Sequence, residues 1–154
     1  NRALKAGDMI WIDASAVVNG YWCDFSRAAV VGGPNQKQIR LQNIVREATE
    51  AAIEMIKPGV PVSALAEMCA RVLGGYGFSI SFDAGRCGHG IGLMSTEPPH
   101  LASYDSSVLT EGMVITLEPG IVNEDGVFVI EENIVVTADG FEVLSGASRD
   151  IYTI

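Results

Sequence analysis

The chain has 154 residues, 48% of them hydrophobic, enough for one globular domain with a real core. Its net charge of −9 argues against nucleic acid and anionic membrane surfaces as partners, since both attract clusters of Lys and Arg. No apolar run approaches the ~18 residues that cross a bilayer, and three cysteines without a C-x-x-C motif (Cys23, Cys69 and Cys87) fit a reducing cytoplasm and thiols buried as small apolar groups.

The chain opens with Asn1, not Met, and with no signal-like segment; it reads as a fragment of a longer protein. Residues 9–18 and 21–31 are β-rich and are separated by Asn19-Gly20. That pair between two such runs is the strongest short hairpin signal, because a type I′ turn needs two positive φ angles. Gly32-Gly33-Pro34 breaks the second strand, and Pro34 suits a helix's first turn. Ile39, Leu41, Ile44, Val45, Ala48, Ala52 and Met55 then recur at helical spacing until Lys57-Pro58-Gly59. Ser63 is the expected N-cap of a second helix, running to about Leu73 before Gly74-Gly75. A glycine-rich run from Ala84 to Gly92 follows, and then strands near 113–118, 127–136 and 141–144. A hairpin, two helices and several strands predict an α+β fold, with helices packed on a mainly antiparallel sheet.

The acids sit in unusual company. Asp13 follows Ile10-Trp11-Ile12, Asp24 lies between Cys23 and Phe25, Glu118 ends Val114-Ile115-Thr116-Leu117, and Glu131 ends Val127-Phe128-Val129-Ile130. A carboxylate inside an apolar strand is costly unless it is paired, hydrogen-bonded or bound to metal. Each acid alone also reads as an outward-facing strand or turn residue. If Asn19 and Gly20 form the turn, paired positions sum to 39, so Asp24 faces Ser15 and shares a face with Asp13. Their β-carbons would stand roughly 7 Å apart on the diagonal, close enough to share a cation and, without one, close enough to repel. His89 lies between glycines in Gly88-His89-Gly90-Ile91-Gly92. That run lacks the G-x-G-x-x-G spacing and following helix of a nucleotide loop. Four carboxylates and one imidazole make a hard, oxygen-rich set, suited to a two-metal site with Mn²⁺, Co²⁺, Fe²⁺ or Zn²⁺.

The succession Ile12-Asp13, Asn19-Gly20-Tyr21-x-x-Asp24-x-Ser26-Arg27, Gly88-His89-Gly90-Ile91-Gly92, Glu97-Pro98-Pro99, Gly112-Met113-Val114-x-Thr116-x-Glu118-Pro119-Gly120 and Ile130-Glu131-Glu132 resembles the pita-bread family of methionine aminopeptidases, aminopeptidase P, prolidase and creatinases. The likeness spans residues 7 to about 144 and implies the C-terminal portion of a pita-bread domain, with the preceding part, and any N-terminal domain, lying outside the sequence. It further implies two divalent ions, Mn²⁺ first among the candidates. Asp24 and Glu131 would bridge them, His89 and Glu118 would bind one, Asp13 would chelate the other, and Glu118 would shuttle protons. The implied reaction is hydrolysis of an amide bond near a peptide's N-terminus, of Xaa-Pro type, in a cytoplasmic homodimer acting on short peptides or small amides.

Two positions depart from the family pattern. Thr96 stands where active peptidases usually carry a histidine that contacts substrate, so any catalytic share it takes is a hydroxyl's, without positive charge. His100 is a stand-in for it or an ordinary exposed loop histidine. Val129 stands where prolidase relatives often place an arginine. These departures keep open a same-fold hydrolase of small non-peptide C–N substrates; a non-catalytic binding module, which usually loses ligands, is the third reading.

Overall fold

A computed structural model of the chain describes residues 2–80 and 85–154. Asn1 and Ala84, the first residue of the glycine-rich run, lie outside the described residues. The fold is α+β, as expected. Strands β1 (Met9–Val18) and β2 (Tyr21–Val30) form the predicted hairpin, with Asn19 and Gly20 both at positive φ. Its register pairs Ser15 with Asp24 and Asp13 with Ser26, as the turn dictates. The hairpin stands open: every residue of β1 from Trp11 to Val18 is exposed, and burial on β2 begins only at Asp24.

Helix α1 (Gln36–Ile53) starts two residues later than the proline suggests. Asn35 is the N-cap, and its side chain and that of Gln38 close a reciprocal capping box, leaving Pro34 outside the helix. Helix α2 (Val62–Gly75) has Pro61, not Ser63, at its N-cap and continues through Gly74-Gly75. Both corrections have one cause. The apolar faces, Leu41, Ile44, Val45, Ala48 and Ala52 on α1 and Leu65, Cys69 and Leu73 on α2, are buried against the sheets and fix the helices more firmly than end signals do.

From Arg86 on, the glycine-rich run and the prolines after it, outside the expected strands, form strands β3 (Arg86–Gly90) and β4 (Glu97–Ala102). They join β5 (Val114–Leu117), β8 (Glu132–Val136) and β9 (Phe141–Val143) in a five-stranded antiparallel sheet of order β4-β3-β5-β8-β9. Glycines mark β3 because its neighbours approach so closely: a Cβ on Gly88 would lie 2.2 Å from the Thr116 carbonyl oxygen. The expected strand 127–136 is really two, β7 (Gly126–Val129) and β8, broken at Ile130-Glu131, and β7 pairs with β6 (Gly120–Asn123). The short β10 (Tyr152–Thr153) adds in parallel to β2. Ile115, Leu117, Ile134 and Val136 meet both helices in the main core, while Ile121, Phe128 and Ile130 pack beneath α1. Cys69 and Cys87 are buried there as expected, but Cys23 is exposed, because the outer part of β2 has no layer over it. Among the described residues, no helix is long and apolar enough to cross a membrane.

Candidate metal centre

Alternation along the strands decides which side chains converge. Asp13 and Asp24 share one face of the hairpin, where Ser15 Oγ donates to Asp24 Oδ1 at 2.8 Å. The β5–β8 ladder pairs Thr116 with Asn133 and Leu117 with Glu132. Extending that register one step sets Glu118 opposite Glu131, just past the ladder. The two sheets are tied together by Asn133, which accepts from the Asp24 backbone N–H at 3.1 Å and donates its side-chain amide to the Asp24 carbonyl. The Glu131 N–H reaches the Ser26 carbonyl, and the Glu118 N–H donates to the Cys87 carbonyl at 2.8 Å.

Asp24, His89 and Glu131 each offer a ligand atom within 4.8 Å of the others. Glu118 joins them through His89, its Oε1 lying 3.5 Å from Nε2. Asp13 stands outside that tight trio, on its exposed strand, close enough to Asp24 to feel its charge. Asp13, Asp24, His89, Glu118 and Thr96 line one open cavity of about 300 Å³, and Trp11 and Arg86 complete its wall. A larger cavity of about 410 Å³ lies by Arg46, Glu50, Arg149 and Asp150. Those charges are already paired with one another, Arg46 with Asp150 and Arg149 with Glu50 and Glu132, so they form a structural network.

The electrostatics of the centre are those of a crowded acidic cluster. Glu131, 1% exposed, has its carboxyl pushed up to about 9, first by burial and then by the charges of Glu118, Asp24 and Asp13. Its Oε1 is buried without a hydrogen-bond partner among the described residues. Asp13 is also raised, by partial burial and then by Asp24. His89, 3% exposed, is lowered chiefly by burial, which keeps the imidazole neutral. Its Nδ1 lies 3.0 Å from the Gly90 carbonyl oxygen. A carbonyl only accepts, so Nδ1 carries the proton and Nε2 presents a lone pair toward the Glu118 carboxylate. Two acceptors face each other across 3.5 Å. A cation between them would resolve that repulsion and offset part of the cluster's charge beside the buried Glu131 oxygen. The residues present therefore fit a divalent metal.

Several supporting residues carried no role in the sequence reading. Buried Arg27 donates to Glu132 Oε1 and to the carbonyls of Ser26, Glu131, Ala147 and Ser148, holding the turn that presents Glu131. Thr116 Oγ1 accepts from the His89 N–H at 3.2 Å. The signal for Arg27 lay in its partner: Glu132 is a second acid on the same apolar strand, and one of the two had to face a cation of the protein's own. His100 is neither exposed nor in a loop; it is half-buried on β4, opposite His89. Thr96 lines the cavity, whereas Val129 is buried in the core.

Residues 1–138 match the sequence pattern of metallopeptidase family M24. A Xaa-Pro dipeptidase of Pyrococcus horikoshii is 38% identical over 152 residues, 98% of this chain but 43% of the relative. The chain thus spans less than half the length of this curated relative. The crystal structure of the prolidase from the same organism superposes with a TM-score of 0.91 over 97% of this chain and 43% of that one. A methionine aminopeptidase from Rickettsia prowazekii, 29% identical, gives 0.76 over 91% and 65%.

Proposed function

Since the chain belongs to metallopeptidase family M24, whose peptidases use divalent metal ions, we propose that the protein is a dinuclear peptidase cleaving the amide bond after a peptide's first residue where proline follows. Its fold is the pita-bread fold of the prolidases and aminopeptidases it superposes on. The observation that carries the reading is the convergence of Asp24, His89 and Glu131, with a buried Glu131 oxygen that no group among the described residues satisfies.

Asp24 and Glu131 would serve both ions; His89 and Glu118 would complete one ion's set, and Asp13 would hold the other. When bound, the ions polarise the scissile carbonyl and acidify the attacking water. His89 enters as a neutral ligand because Gly90 fixes its tautomer. Glu118, half-buried at the cavity wall, takes the proton from the attacking water and passes it to the leaving amine. Thr96 offers a hydroxyl from the same wall to the oxygen that gains charge. Mn²⁺ is the first choice of metal, and the setting we infer is a cytoplasmic homodimer.

Two measurements test this. The full-length, Mn²⁺-loaded protein is expected to hydrolyse Xaa-Pro dipeptides or tripeptides. Asp24→Asn is expected to cost roughly 10- to 100-fold in metal affinity and Asp13→Asn less, because a bridging ligand serves both ions; equal losses would remove the bridge assignment. Thr96 supports one alternative, a hydrolase of small non-peptide C–N substrates, since a hydroxyl brings no charge to the peptide carbonyl. Failure to hydrolyse any Xaa-Pro peptide, with metal bound, would favour it.

A further inference from the structure

Strand β2 meets the ladder side along a seam of alternate residues. The Trp22 N–H donates at 2.8 Å to the carbonyl of Gly92, just past β3. The Ser26 carbonyl accepts from the N–H of Glu131, just before β8. The period of two along a strand turns the peptide groups of positions 22, 24 and 26 to the same side, away from β1. Between those two backbone contacts, the N–H and the carbonyl of Asp24 are both taken by the side chain of Asn133. A carboxamide offers a carbonyl acceptor and an N–H donor, the same pair as a peptide group, so Asn133 stands in for a neighbouring strand. Its orientation is fixed, because the Asp24 N–H can only donate and the Asp24 carbonyl can only accept.

Asn133 is itself firmly seated. It is 6% exposed, its N–H donates to Ser145 Oγ at 2.8 Å, and its carbonyl accepts from the Leu144 N–H at 2.8 Å. Its partner across the β5–β8 ladder is Thr116, whose hydroxyl accepts from the His89 N–H. One cross-strand pair therefore grips the backbone of Asp24 on one side and of His89 on the other.

The two grips serve different parts of the centre. On the dinuclear reading above, on which this inference rests, His89 and Glu118 complete one ion's set and Asp13 holds the other. His89, Glu118 and Glu131 belong to the ladder side and keep their places there without the hairpin. Asp24 and Asp13 both come from the hairpin, whose β1 strand is exposed from Trp11 to Val18. Arg27 ties β2 to the ladder side at its buried end, but Asn133 does so at Asp24 itself.

We propose that Asn133 is a positioning residue that holds Asp24, and with it the hairpin's pair of carboxylates, against the ladder. The ion held by Asp13 then depends on Asn133, whereas the ion held by His89 and Glu118 depends on it far less.

Calorimetric titration of the full-length, metal-depleted protein with Mn²⁺ tests this without turnover. Wild type is expected to take two ions per chain. Asn133→Ala is expected to bind the second roughly 10- to 100-fold more weakly, with the first changed by less than about 3-fold. In the variant loaded with one Co²⁺ per chain, the paramagnetically shifted imidazole N–H of His89 is expected to persist, which locates the retained ion. A side chain that merely supports the fold would weaken both ions alike. Asn133→Ser keeps a hydroxyl for one of the two hydrogen bonds and is expected to show the same split at smaller size; it carries the test should Asn133→Ala melt early. Equal weakening of both ions, or a second ion bound as tightly as in wild type, would overturn the proposal and leave the dinuclear reading standing. A single ion in the wild type would remove that reading, and this proposal with it.

Discussion

The open hairpin and the buried ladder contribute to the same cavity under different physical regimes. On β1, Asp13 stands on a strand exposed on both faces, and water screens much of its charge. On the ladder side, His89 and Glu131 are 3% and 1% exposed and are fixed by hydrogen bonds to the oxygens of Gly90, Thr116 and Ser26 and from the Arg27 guanidinium. Metal on the exposed side is a convenience; on the buried side it is the compensation without which Glu131 stays protonated. The difference teaches that the ladder organises the centre before any ligand arrives, while the hairpin lends it an arm.

The largest effect expected from that contrast concerns Arg27. Replacing it by Ala leaves Glu132 buried with only Arg149 as partner and removes the donor from the Glu131 carbonyl. Chemical denaturation is expected to report a loss of roughly 3 kcal/mol, together with weakened metal binding; a loss below ~1 kcal/mol would mean that the ladder does not depend on this clamp. Next in size is pH dependence. The Glu131 carboxyl stands at about 9 in the folded, metal-free chain against an ordinary 4.5, so between those values the folded state binds more protons than the unfolded one. Its contribution is full below about 4.5 and is lost as pH rises toward 9, on the order of a few kcal/mol. The melting temperature of the metal-free protein is therefore expected to fall from pH 5 to pH 9, and metal, which displaces the proton, to remove that slope. Glu131→Gln should flatten the metal-free profile; a slope unchanged in that variant would place its origin elsewhere. The smallest effect belongs to the hairpin tip, where Val18, 68% exposed, changed to Ala is expected to shift stability by no more than ~0.5 kcal/mol.

The same divide explains what the sequence made legible. The hairpin is a local object: Asn19-Gly20 sets its register, and the register alone put Asp13 and Asp24 on one face. The ladder is non-local. Strands β3 and β4 are rich in glycine and proline, residues that composition assigns to loops, yet they are strands because neighbouring backbones lie too close for side chains. The break at Ile130-Glu131 came from no turn residue; a continuous apolar run concealed it. Nor did spacing place Arg86 in the cavity, since only a bulge makes positions 86 and 89 face the same way. The expected ligands were readable because isolated acids in apolar strands are conspicuous, whereas the groups that hold them, Arg27, Asn133 and Thr116, act through the backbone of distant segments.

The most direct test of the account is the metal content of the full-length protein, purified, dialysed against Mn²⁺ and then against metal-free buffer. Elemental analysis is expected to find two divalent ions per chain in the wild type and a clear deficit in Glu131→Gln. Recovery of the wild type without stoichiometric metal would contradict the claim that cations make this acidic cluster tolerable.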